Sequence, residues 1–384
     1  MTPWRTLSLA AIVLLSAAPL AAQPAEAGTR LEVRAAGYAD DDETYVARPY
    51  VAGRLAAGPA RVGAAYSPDV ISTASVDVIA SASRVVEEVR HQAMLDVAYV
   101  GDEGLVLGAA YTFGIEPDHE SHGVQLQARR DLDPARLWHG AIVLGASWAG
   151  IGSVVDARLH EESVTFQAAV SVTRIFDAAT LGRLSLEGAV IEGFQGSPYR
   201  TVRLGDWSAR LGDRGDADST RWVFTGVSGV ARERHPTLRV RGKLGLDVAR
   251  DLGHGVALLG RLAGYADDWA IFAGDLSLEL RVEPAPGLLV RIGGRVYLQS
   301  GASFWARRYP SEREDNDALI TGDRELGPLR SYTLLAAISI PLDDVRLDAR
   351  VEGIRYEHPE FDLLPERHAL SVIVGLTWIP DFSL

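Results

Sequence analysis

Glu116, Asp118, His119, Glu120 and His122 fall within seven consecutive positions. Imidazoles and carboxylates in such proximity are the ligand types that hold Zn²⁺. A His-x-x-His pair without further fixed ligands is a weak metal signature, however, and a solvated acidic loop is the preferred reading. A second candidate is a doubled segment. Asp69-Val70-Ile71-Ser72-Thr73-Ala74-Ser75 is followed by Asp77-Val78-Ile79-Ala80-Ser81-Ala82-Ser83. Asp69 and Asp77 would suit a hard cation such as Ca²⁺ if the two copies met. Asp and Ser in a structured loop more often satisfy their own backbone, and that reading is favoured. Asp40-Asp41-Asp42-Glu43 and Asp267-Asp268 read as acidic loop tips. No cofactor is expected, with Ca²⁺ at the acidic loops as the one alternative. The nine His and many Ser include no Gly-x-Ser-x-Gly elbow, so an enzyme is not expected, and a lipid-acting hydrolase is the least favoured function.

Whatever these residues do, the elements that carry them repeat every second residue. Leu276, Leu278, Leu280 and Val282 alternate with Asp275, Ser277, Glu279 and Arg281. Val240, Leu244, Leu246 and Val248 alternate with Arg239, Arg241, Lys243 and Asp247. Successive strand side chains point to opposite faces, so each segment has one apolar and one strongly polar face. Such segments run for roughly 10–14 residues, longer than the ~5–6 of a soluble strand and enough for the ~9–11 that a membrane-crossing strand needs.

The compartment is read from the first residues. Arg5 precedes the apolar stretch Leu7–Leu15, and small residues follow. This is the order of a secretory signal peptide, expected to be residues 1–22 with cleavage as late as 27. Residues 28–384 are then expected to form a single domain. Zero Cys excludes disulfides, thiol catalysis and a lipidated N-terminal cysteine. A formal net charge of −13 argues against nucleic acid as a partner.

Counting the alternating segments predicts about 16 strands, within a range of 14–18. Their connections sort into two strictly alternating sets. One is short and rich in turn formers, such as Gly58-Pro59, Gly253-His254-Gly255 and Asp343-Asp344. The other is longer and more polar: 39–43, 68–83, 115–121, 150–162, 195–236, 266–270, 301–328 and 357–367. Short periplasmic turns alternating with long extracellular loops are the pattern of bacterial outer-membrane barrels. The expected fold is all-β, a closed antiparallel transmembrane β-barrel.

Several short motifs, taken in order, carry a family resemblance. They include the doubled segment at 69–83, Glu116-Pro117-Asp118-His119-Glu120-Ser121, Ser197-Pro198-Tyr199-Arg200-Thr201-Val202 and Arg234-His235-Pro236. Tyr265-Ala266-Asp267-Asp268-Trp269, Tyr297 to Trp305, and Gly322-Asp323-Arg324-Glu325-Leu326 complete the set. With these the chain resembles the bacterial outer-membrane family catalogued as domain of unknown function 3570. The resemblance implies an outer-membrane β-barrel and no particular reaction.

By the strand count these motifs gather at the long-loop rim. Loops on a rigid scaffold are where binding usually resides. Asp69, Asp77, Glu116, Asp118, Asp267, Asp268 and Trp269 are therefore the candidate ligand-binding residues, lining an acidic mouth expected to favour cations. The expected function is a channel, porin-like or transport-associated barrel of the bacterial outer membrane. The alternative is a structural or assembly barrel with a plugged lumen, anchoring or exporting a partner protein. Outer-membrane lipid and the outer-membrane assembly machinery are the expected partners, with a homo-oligomer as a further expectation.

Overall fold

The computed structural model describes residues 28–73, 86–154, 156–205, 207–210, 221–224, 229–310, 318–361 and 364–380. The expected signal segment and Asp77 lie outside the described residues. The chain runs through β1 (Arg30–Asp40), β2 (Thr44–Ala57), β3 (Ala60–Thr73), β4 (Val86–Val100), β5 (Val106–Glu116) and β6 (His119–Asp131). β7 (Trp138–Ile151), β8 (Glu161–Asp177) and β9 (Thr180–Gly193) follow. Four short strands come next: β10 (Thr201–Leu204), β11 (Trp207–Arg210), β12 (Arg221–Phe224) and β13 (Gly229–Arg232). The last seven are β14 (Leu238–Gly253), β15 (Val256–Asp267), β16 (Phe272–Ala285), β17 (Leu288–Gln299), β18 (Leu329–Leu342), β19 (Val345–Glu357) and β20 (Glu366–Trp378).

β1 to β9 and β14 to β20 form one closed antiparallel barrel of sixteen strands. Closure is direct: β1 pairs with β20 from Leu31↔Trp378 to Asp40↔Ala369. No helix among the described residues is long and apolar enough to cross a membrane, and here the strands have the length to do so.

Alternation decides which face meets lipid. Leu276, Leu278 and Leu280 of β16 are 50%, 53% and 39% exposed, an arrangement that water would penalise and a hydrocarbon layer does not. Asp275, Glu279 and Arg281 of the same strand point inward. The same split runs around the barrel. On the outer face near the short-turn end, the Arg174 guanidinium lies 4.8 Å from the Trp138 ring and 5.0 Å from the Phe176 ring. Aromatic rings beside a long basic side chain suit the headgroup level.

The two ends differ as expected. At one end β2–β3, β8–β9 and β14–β15 close in tight turns, and all three register shifts of the barrel fall there, after Ile175, Asp251 and Val282. Gly255 adopts φ +73°, and a Cβ there would sit 2.6 Å from the Glu283 carbonyl, so glycine is required. At the other end some segments expected to be loops are strand. β3 carries Asp69 on its paired portion and β5–β6 close around Pro117-Asp118, with Glu116 opposite His119. Polar inward-facing residues at strand ends had the composition of loops, and polarity alone does not separate the two.

The lumen wall is tied together by ion pairs. Arg54 on β2 reaches Asp96 on β4 at 2.9 Å, passing over β3. Gly63 stands between them in the register, and a Cβ there would overlap the Asp96 carboxylate. This row gives a prediction for the membrane reading of the fold. Leu278→Arg, at the middle of an outward face, should lower the barrel's unfolding free energy in lipid vesicles by about 2–4 kcal/mol. Ser277→Arg, one residue away and inward, should cost far less. Urea titration of vesicle-refolded protein measures both, and equal losses would contradict the inside–outside assignment.

Candidate functional site

The long-loop end is built from strand termini whose inward residues alternate in charge. Along one row of the register stand Arg48 (β2), Asp69 (β3), Arg90 (β4), Glu116 (β5) and His119 (β6). Arg48 clasps Asp69 with two hydrogen bonds, Nε at 2.6 Å and Nη2 at 2.7 Å. Arg90 pairs with Glu116, and both are buried. Asp69 is only 1% exposed, so its charge is stable there because the guanidinium answers it in bidentate fashion.

Strand alternation divides the His and acid cluster of 116–122, whose preferred reading is a solvated acidic loop. His119 follows Glu116 on the inward side, whereas His122 faces out, contacting the Tyr111 hydroxyl at 2.6 Å and Glu120 at 2.9 Å. Among the described residues no three His, Asp or Glu gather to hold a metal ion.

Asp267 and Trp269 organise the opposite side of the mouth. Asp267 accepts from Arg239 Nη2 at 2.6 Å, from the Tyr265 hydroxyl at 2.8 Å, and from the backbone N–H of Trp269 and Ile271. Asp268 accepts the Val240 N–H at 3.0 Å. Trp269 is buried, with Arg239 4.2 Å over its ring and its indole N–H on the Leu238 carbonyl. Phe304 meets it edge-on at 5.0 Å, and Ile271 and Ala302 complete a small apolar core. Asp118 accepts the hydroxyl of buried Tyr199. Six of the seven candidate residues are thus placed. They stand at one rim, but on different strands and turns, and their carboxylates engage arginines, a tyrosine hydroxyl or backbone N–H groups.

Two long loops join this rim into a cover. Within the β9–β14 connection, β10 pairs with β13 and β11 with β12, two small sheets in a segment whose length and polarity predict a loop. The alternation in Thr201-Val202-Arg203-Leu204 and the β-prone run Trp222-Val223-Phe224 are the available signals. Tyr199 links this loop to the β5–β6 turn through Asp118, and to the β7–β8 loop through the Val154 N–H at 2.9 Å. The β17–β18 loop leans on it: Glu233 accepts from Thr321 Oγ1 at 2.8 Å and Gly322 N–H at 3.0 Å, and Arg200 pairs with Asp323. Val202, Ile320 and Thr321 are buried in this cover, away from the barrel wall.

The end of the β17–β18 loop, the single-turn helix Arg324–Leu326, then reaches past the β19–β20 loop to the start of the barrel. Arg324 pairs with Asp42 at 2.7 Å, both side chains buried. Glu325 lies 3.5 Å from inward-facing Arg367, which itself pairs with Asp40 at 3.3 Å and lies 4.4 Å over the Tyr356 ring. Gln299 donates to the carbonyls of Glu325 and Gly327. Residues 324–327 therefore sit among side chains of the β1–β2 turn and inward-facing side chains of β17 and β20. Gly322–Leu326 stands out in the sequence only through the family resemblance, and no local pattern marks Arg367 or His358.

The family model described as protein of unknown function (DUF3570) matches residues 146–368, more than half of the chain. The chain belongs to the DUF3570 family. No curated protein matches the sequence. Among solved structures, a bacterial polysaccharide outer membrane secretin is similar at 12% identity and TM-score 0.49, covering 91% of this chain and 98% of its own. The toluene transporter TodX of Pseudomonas putida is similar at 10% identity and TM-score 0.43, covering 94% and 93%. OprD of Pseudomonas aeruginosa is similar at 8% identity and TM-score 0.44, covering 91% and 94%.

The DUF3570 match takes in Tyr199, Glu233, Thr321, Arg324, His358 and Arg367, most of the cover and its clasp. His358 lies at the base of that clasp, 1% exposed. Burial pushes its imidazole down to about 4, with Arg324 and Arg367 acting in the same direction and Glu325 opposing them. In an undocked loop it would return to its ordinary value near ~6.5. The docked state is therefore favoured above about pH 6.5 and loses that advantage as pH falls toward 4. Limited proteolysis of the β17–β18 loop should accelerate over that pH interval in vesicle-embedded protein. His358→Gln should flatten the dependence, and an unchanged profile would contradict this assignment.

Proposed function

We propose that this protein is an outer-membrane channel or transport barrel whose external mouth is closed by the β17–β18 loop. The observation that carries the reading is the clasp of Arg324 on Asp42, reinforced by Glu325 against Arg367. The Arg324–Asp42 pair is buried, so removing one partner leaves an uncompensated charge worth roughly 3–5 kcal/mol locally. Such a contact is either fully made or fully lost. That suits an element with two arrangements, docked across the mouth or swung clear.

In this reading the rim acids do not form a ring awaiting cations. Asp69, Glu116 and Asp267 hold Arg48, Arg90 and Arg239 in place, Asp118 fixes Tyr199, and Asp268 and Trp269 seat the β15–β16 turn. They keep the rim rigid so that the loop has a fixed seat. The sixteen-strand closure, the apolar outer face and the DUF3570 match support the membrane part of the reading. The burial of Arg324 against Asp42 supports the gating part.

Planar-bilayer recording tests it. The parent barrel should show low or intermittent conductance, and Arg324→Ala should raise the open probability several-fold. The chain has no cysteine. Asp42→Cys with Arg324→Cys, joined by a short thiol-reactive linker, should therefore hold the channel closed until the linker is cleaved. Silence from every variant would overturn the channel reading in favour of a plugged anchor or export barrel.

A further inference from the structure

Toward the short-turn end of the same lumen, three arginines share one row. Arg281 on β16 stands directly opposite Arg291 on β17, Arg291 opposite Ala337 on β18, and Ala337 opposite Arg350 on β19. All three arginines are on inward faces by strand alternation. Like charges directly opposite one another repel, so an unbroken cationic row needs a reason.

Carboxylates answer only the outer two. Arg281 binds Glu279 at 2.6 Å, and Arg350 binds Glu352, each two residues along its own strand. The position between those glutamates on β17 is Gly293, opposite Glu279 on one side and Leu335 on the other. A Cβ at Gly293 would lie 2.8 Å from the Leu278 carbonyl, so the backbone leaves no room there for a third carboxylate. Arg291 is left without a carboxylate among the described residues, and its Nε is buried with no hydrogen-bond partner. The Arg291 side chain as a whole is only half-buried, so its terminal N–H groups can meet an acceptor arriving in the lumen. Ala337 keeps the space beside it open.

We infer that Arg281, Arg291 and Arg350 form an anion-binding station on the lumen wall, with Arg291 as its centre. The ligand class is a solute bearing phosphate, sulfate or carboxylate oxygens, which a planar guanidinium grips in bidentate fashion. The station rests on the channel reading for its purpose, since it would lie on the path of whatever crosses. It also reverses the polarity expected of a chain with net charge −13, because local wall charges and not the total select an ion.

Pyrophosphate is the probe, in two independent measurements. Equilibrium dialysis with the detergent-folded barrel should show binding that weakens at least ~tenfold in Arg291→Gln and is only partly kept in Arg291→Lys, which retains the charge without the planar fork. In bilayers under a KCl gradient, the reversal potential should indicate anion preference and move toward cation preference in Arg291→Glu. Arg174→Gln, on the outer face, should change neither, and gel mobility of the unheated protein verifies that every variant is folded. Pyrophosphate binding through Arg291 in a barrel that never conducts would overturn the channel reading and leave the station standing. A conducting barrel indifferent to Arg291, or one that binds no pyrophosphate, would overturn the station.

Discussion

A chain crossing hydrocarbon has to pair every backbone N–H and C=O within the protein, because lipid offers no acceptor or donor in their place. The rest of this structure follows from that constraint. Sixteen strands satisfy it only if the last returns to the first, and β20 does so along ten register pairs with β1. Closure in turn forces one face of each strand toward lipid and the other toward a lumen. The two-residue rhythm of Leu276 to Val282 is the imprint of that division.

Once the wall is closed, its inner face faces a different problem. Charged side chains confined to a narrow interior need partners, and strand geometry limits where partners can stand. At the long-loop end the solution is alternation, with Arg48, Asp69, Arg90 and Glu116 answering one another across four strands. The loops exploit the same chemistry. Arg324 and Glu325 enter the mouth because Asp42 and Arg367 are already there to receive them. Rim and loop are thus one electrostatic assembly, with the imidazole of His358 buried at its base.

Much of this was legible before any coordinates. Strand number, the alternation of short and long connections and the outward leucines all follow from periodicity, which is local and repeats in every strand. Asp69, Glu116, Asp118, Asp267 and Asp268 stand at the long-loop end, where the strand count puts them, and Asp77 lies outside the described residues. Their partners were not legible. Arg48 lies 21 residues from Asp69 and Arg239 lies 28 from Asp267, so their meeting is a matter of register, which composition does not encode. Arg324 and Asp42 are 282 residues apart, and nothing near either announces the other. Polar strand ends such as Glu116 and His119 were indistinguishable from loop, since an inward face is as polar as a turn. The small strands β10 to β13 escaped because four residues hold too few alternations to stand out.

Gly63 has a consequence of its own. By leaving a gap in β3 it lets Arg54 and Asp96 join hands across an intervening strand, so β2, β3 and β4 are keyed to each other as a triplet. Shifting β3 by a single pair would push a side chain into the carboxylate and turn its greasy residues inward at once. Misalignment is therefore penalised twice over by one missing methyl group. A sheet that must be assembled edge by edge inside a membrane gains from such a keyway, which admits three neighbouring strands in one alignment only.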